Sequence, residues 1–216
     1  ISHVAPTSFE DLSAAMTTSR ADGVIFLGQS WLHTAFNRLA ETEGRFVVWG
    51  AQLPDQAYCS VGSDNPLGAK RATLHLARLG RKRIVFLGDT EAPEAMQRHR
   101  GYLDAVEQFG LGVDPELIVP AHFEVESAEA SVDSLIQRGV KFDGVVAASD
   151  LIALGAIRAL QQAGMSIPGD VSVTGFDNVL PSEFATPSLT TADVPREAIG
   201  RLICDAIIPA GGERPA

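Results

Sequence analysis

Cysteine is scarce in this sequence: Cys59 and Cys204 are the only two in 216 residues. A disulfide scaffold and a CxxC metal site are thereby excluded. Two buried free thiols are expected, of the kind a reducing cytoplasm keeps. Positive charge is also short, with 17 Lys and Arg against 27 Asp and Glu, a net charge of −10. A surface that grips nucleic-acid phosphates is basic, so a DNA-binding part is not expected within these residues. No apolar run reaches the roughly 18 residues of a membrane helix, and no membrane contact is expected. The opening ISHVAPTSFEDL has neither the basic nor the apolar region of a signal peptide. Familiar chemical motifs are missing too. The five histidines form no HExxH, and neither GxSxG nor GxxxxGK[ST] occurs. Gly110-Leu111-Gly112 reads as a turn. Without a recognisable nucleophile or acid–base set, no enzyme activity, cofactor or metal is expected.

What is present is an alternation of strand and helix signals. Short apolar runs occupy 23–28, 45–50, 83–88, 143–148 and 170–175. They lack polar alternation, which predicts parallel strands covered on both faces. Helical spacing marks Leu67 to Leu79, with Ala72, Leu76 and Leu79 on one face. It also marks Arg98 to Phe109, with Tyr102, Ala105, Val106 and Phe109 on one face, and Leu151 to Ala163. Gly164 ends the last of these and Pro168 prevents its restart. The fold class is therefore α/β. In open sheets of this kind ligands bind at the carboxyl ends of the strands, which draws attention to Trp49, Asp64, 89–94, Phe123, Ser149, Asp150 and Asp177. The tail Pro209-Ala210-Gly211-Gly212 reads as a linker or frayed end.

Four stretches carry a resemblance. Val61-Gly62-Ser63-Asp64-Asn65 leads through Gly68 to His75-Leu76-Ala77-Arg78-Leu79-Gly80. Arg98-His99-Arg100-Gly101-Tyr102 has the form RxxGY. Ala148-Ser149-Asp150 opens a helix. Ile167-Pro168-Gly169-Asp170-Val171-Ser172-Val173-Thr174-Gly175-Phe176-Asp177-Asn178 is followed by Pro187-Ser188-Leu189-Thr190-Thr191. In this order and spacing, from about residue 20 to 205, the chain resembles the effector-binding core of the LacI/GalR transcription regulators. The resemblance implies a periplasmic-binding-protein-like fold of type I: two doubly wound parallel-sheet lobes with a ligand cleft between them. Residues 1–62 with 192–216 would form an incomplete N-terminal lobe, and 63–191 the C-terminal lobe. The family's first strand and helix, its carboxyl-terminal strand stretch and its DNA-binding headpiece are not recognised here, so the chain is expected to be part of a longer protein.

The resemblance also nominates ligand-binding residues. Asp177 matches a carboxylate that accepts hydrogen bonds from ligand hydroxyls, as an acceptor-only group can; a turn aspartate is the plainer alternative. Arg98 matches the arginine of RxxG, whose fork of donors can bridge hydroxyls; a helix-end salt bridge is its alternative. Asp64 matches the aspartate of the DN motif, with an Asx turn as alternative. Phe123 falls where relatives cover a ring with an aromatic, or else it is a core residue. Trp49 ends a strand where a sugar face could stack, although many relatives are acidic near there. Ser149 stands where an asparagine often contacts ligand. Asp150 is expected to cap the helix beginning at Leu151 rather than to enter the pocket. Function follows as an expectation. The chain would be a cytoplasmic small-molecule sensor for a mono- or disaccharide effector, homodimeric, acting on operator DNA through a headpiece outside this chain. The same fold would also serve a periplasmic sugar-binding protein of a transporter.

Overall fold

The computed structural model describes residues 6–18, 21–42 and 45–208; the tail at 209–212 lies outside them. The chain divides into two compact units, Ile1–Ser63 with Pro195–Ala216, and Asp64–Val194.

The larger unit is built on a parallel five-stranded sheet of order β5-β4-β6-β7-β8. The strands are β4 (Ile84–Leu87), β5 (Ile118–Val119), β6 (Gly144–Ala147), β7 (Ser172–Asp177) and β8 (Thr190–Asp193). Central strands β4 and β6 pair in parallel from Ile84↔Gly144 to Leu87↔Ala147. Their unbroken apolar runs have the expected cause: Ile84, Val85, Phe86 and Leu87 are all at most 2% exposed. Helices α3 (Asn65–Arg78) and α4 (Pro93–Phe109) pack together, as do α5 (Val125–Gln137) and α6 (Asp150–Gln162). The two pairs cover opposite faces. On β7, a Cβ at Gly175 would meet Asp150 of α6, whereas the next ring, Phe176, sits beneath Gly68 of α3. Adjacent strand residues point to opposite faces.

Local signals set the helix ends. Asp64 Oδ1 accepts from Leu67 N–H at 3.0 Å, and Pro66 occupies the first turn of α3. Helix α4 starts at Pro93, a turn before the expected Arg98, and ends on left-handed Gly110, φ 71°. Ser149 caps α6 through its Oγ, which accepts from Ile152 N–H. This corrects the expectation for Asp150, which is the first helical residue and not the cap. Leu79 and Phe109, expected on buried faces, are 59% and 45% exposed, because each lies at the end of its helix, past the edge of the sheet layer.

The smaller unit holds β1 (Val24–Leu27), β2 (Phe46–Trp49) and β3 (Ser60–Val61), parallel and in that order, with α1 (Phe9–Thr18), α2 (His33–Ala40) and α8 (Arg196–Ile207). The larger unit also carries the short α7 (Leu180–Phe184). The smaller core is aromatic: the Phe36 ring centroid lies 5.2 Å from those of Phe26 and Tyr58. Two expectations fail here. Strand β1 is not covered on both faces: Ile25, 47% exposed, and Leu27, 77% exposed, share one face, which is left open among the described residues, while Phe26 on the other is buried. The two thiols are exposed and unbonded. Cys59 precedes edge strand β3, and Cys204 lies on α8 beside Asp205, also exposed, away from the buried Ile203.

Candidate functional site

The five parallel strands of the larger unit end at one edge, and one side chain gathers three segments there. Arg98 projects from the second turn of α4 and is only 6% exposed. Its Nε donates to Asn65 Oδ1 at 2.8 Å, its Nη1 to the Ala148 carbonyl, and its Nη2 to Asp177 Oδ1 at 3.4 Å. The guanidinium carbon lies 3.8 Å above the Phe176 ring centre, a cation–π contact. Burial lowers the Arg98 pKa, while the carboxylates of Asp177, Glu94 and Asp150 act to raise it. A buried cation that meets a carboxylate and two further acceptors is the arrangement that makes such burial tolerable. Three of the five guanidinium N–H groups are thus engaged, leaving two that could reach a ligand.

Asp177 is the last residue of β7, and its side chain is 33% exposed. Its φ is 111° and that of Asn178 is 54°. Two successive non-glycine residues at positive φ cost on the order of 1–3 kcal/mol each and collect at functional sites. The turn is held open by Asp150, which is 0% exposed. The Asp150 carboxyl accepts from Val179 N–H at 2.8 Å, Ser182 Oγ at 2.6 Å and Thr191 Oγ at 2.5 Å. Asn178 donates to Asp193 Oδ1 at 2.8 Å. Asp150 is therefore the anchor of the strand-end turn after β7.

The nominated residues fall in different surroundings. Arg98 and Asp177 come together directly, and Ser149 follows Ala148, whose carbonyl Arg98 holds. Ser149 is 2% exposed with its hydroxyl committed to the α6 cap. The carboxylate of exposed Asp64 caps α3, the Asx role. It is the next residue, Asn65, that enters the Arg98 cluster, 2% exposed and donating to Gln97 Oε1 at 3.1 Å. Phe123, in the β5–α5 loop, is 39% exposed and so is not a core ring. Trp49 ends β2 of the smaller unit, half-buried. Sequence reading passed over Asn65, Phe176 and His122, whose Nδ1 lies 3.3 Å from Oδ2 of Asp89 in the flagged 89–94 stretch, at the ends of β5 and β4. Asn65 stood beside the nominated Asp64 in the DN motif, and Phe176 beside Asp177. His122 carried no such signal.

An acceptor-only carboxylate and the spare donors of a buried arginine, at the carboxyl ends of parallel strands, suit a neutral ligand rich in hydroxyls. Among the described residues no group of three His, Cys, Asp or Glu is placed to hold a metal ion. No helix among them is long and apolar enough to cross a membrane.

Comparison with known proteins identifies the family. The family model for the periplasmic binding protein-like domain matches residues 73–215. The HTH-type transcriptional regulator AscG of Escherichia coli K12 is 35% identical over 163 residues, 73% of this chain and 48% of that protein. The structure of the transcriptional regulator CelR in complex with cellobiose superposes with a TM-score of 0.81 at 30% identity, over 92% of this chain and 63% of that one. A LacI-family regulator from Enterococcus faecium with bound ribose gives 0.81 at 27%, over 94% and 75%. The chain spans about half the length of the curated relatives it matches. It belongs to the periplasmic binding protein-like domain family and has the effector-domain fold of the LacI-family regulators.

Proposed function

We propose that this chain is the ligand-sensing part of a LacI/GalR-type transcription regulator, acting in the cytoplasm on a small polar effector, a mono- or disaccharide. The observation that carries the reading is the Arg98–Asp177 pair, a buried arginine of α4 meeting a carboxylate on a strained turn at the strand ends. The cellobiose and ribose complexes of similar regulators support a sugar. On the larger unit, Asp177 would accept from sugar hydroxyls, Arg98 would donate to ring or hydroxyl oxygens, and Phe123 would cover an apolar ring face; on the smaller unit, Trp49 offers an aromatic face of its own. For Asp64 and Ser149, both engaged as helix caps, a ligand contact would have to be shared with the cap.

In this reading the sensor is a homodimer and acts on operator DNA through a helix-turn-helix domain outside this chain. Acidic net charge supports the division of labour. Exposed Leu180 and Phe184, at 68% and 74% on α7, offer apolar surface for a second copy. The sensor is not an enzyme: it acts through the difference in its affinity for sugar between two states.

Titration calorimetry with cellobiose and ribose tests the proposal. Saturable binding is expected for at least one, with Asp177→Asn weakening it about ten-fold or more, the cost of one charge-assisted hydrogen bond. At 100 times its dissociation constant the sugar would stabilise the chain by about 2.7 kcal/mol. Full affinity in Asp177→Asn would remove the pocket assignment.

A further inference from the structure

The chain has two tryptophans, Trp31 and Trp49, and both stand at the carboxyl ends of neighbouring parallel strands in the smaller unit. Trp49 closes β2 and Trp31 lies four residues beyond the end of β1, which pairs with β2 in register Leu27↔Trp49. Trp31 is 70% exposed, although tryptophan is ordinarily a well-buried residue.

The loop that carries it is firmly built. Gly28 N–H donates to the Trp49 carbonyl at 2.8 Å. Gln29 is fully buried; its Oε1 accepts from Ala51 N–H at 2.8 Å, and its Nε2 donates to the Ala51 carbonyl and to Tyr58 Oη at 3.1 Å. Tyr58 Oη is in turn 3.0 Å from His33 Nδ1. Leu32 N–H donates to the Gln29 carbonyl at 2.9 Å, closing a turn that has Trp31 near its tip and Ser30 at φ 44°. A buried amide satisfied at both ends thus ties the loop after β1 to the loop after β2. A strained turn then holds a large apolar ring in water, which the fold gains nothing from doing. Rigid aromatic residues presented in this way lose little entropy when they bind.

We propose that Trp31 is a ligand-contacting residue, a stacking platform for the apolar C–H face of a sugar ring. The inference rests on the sugar-sensor reading above, and it adds a contact on the smaller unit that Trp49 alone would not provide. Carbohydrate is the occupant because the indole stands where parallel strands present ligands, and because similar regulators were seen with cellobiose and ribose.

The test is titration calorimetry of the whole chain with cellobiose and with ribose, for the wild type, Trp31→Ala and Trp31→Phe. For the sugar that the wild type binds, Trp31→Ala is expected to weaken affinity about ten-fold and Trp31→Phe to restore it to within about three-fold. Melting temperatures without sugar should be equal for all three, since the ring is exposed. In a Trp49→Phe background, sugar should shift the remaining Trp31 emission to the blue. Unchanged affinity in Trp31→Ala, with sugar still bound, would overturn this inference and leave the sensor reading standing. Failure of both sugars to bind the wild type would overturn both.

Discussion

Arg98 gives most of its donors to the protein, so its first role is to position Asn65, the end of β6 and Asp177 relative to one another. Asp177 bears the cost of that order in its backbone. Asp177→Gly should relieve the positive φ but leave the buried Arg98 without its carboxylate, so a net loss of about 1–3 kcal/mol is expected in a urea titration, together with loss of sugar binding. A gain in stability would show that strain outweighs the ion pair. His99 offers a second test. Its Nε2 is buried with no hydrogen-bond partner, its ring lies 4.9 Å from that of Phe86, and burial lowers its pKa. The folded chain therefore resists a proton that the unfolded chain takes up below about pH 6.5. This contribution to stability is present above that pH and lost as pH falls. His99→Phe should flatten that part of a stability-against-pH curve. At this scale the sequence was partly legible. Asp177 and Arg98 were marked by the GFDN and RxxGY wording, whereas Asn65 and Asp150 were misjudged by one position each, because a cap and its neighbour cannot be told apart until the helix start is fixed.

The motif glycines make sense as packing contacts between elements. A Cβ at Gly101 would stand 2.1 Å from the Pro66 carbonyl oxygen where α3 meets α4, and one at Gly155 2.3 Å from the Val125 carbonyl oxygen where α5 meets α6. Gly101→Ala and Gly155→Ala must each force a helix pair apart. Each is expected to cost about 2 kcal/mol or more, as an overpacked contact does, read as a lower denaturation midpoint; a neutral alanine at either site would contradict the close approach. Central strands β4, β6 and β7 were legible as apolar runs. The two-residue strands β3 and β5 were not, nor was Thr190–Asp193, because their extended form comes from a neighbour's hydrogen bonds and not from their own residues. Helices α1, α2 and α5 also lacked a distinct enough signal to be named.

For the molecule as a whole, the alternation of strand and helix was enough to give the class, and the family wording gave the two-unit expectation. A net charge of −10 predicts that this chain by itself passes through a heparin column at low salt without retention; salt-sensitive retention would place a nucleic-acid surface within it. The irregular segment after β7 has a further consequence. Loops usually exchange their amide protons quickly, yet Val179 N–H is bonded to a carboxyl group that is itself wholly buried. Exposing that proton to solvent requires the turn before α7 to part from Asp150 at the head of α6, a carboxyl that Ser182 of α7 and Thr191 of β8 also hold. In deuterium exchange, Val179 should therefore keep time with the core strands, a loop residue whose clock is set by global unfolding.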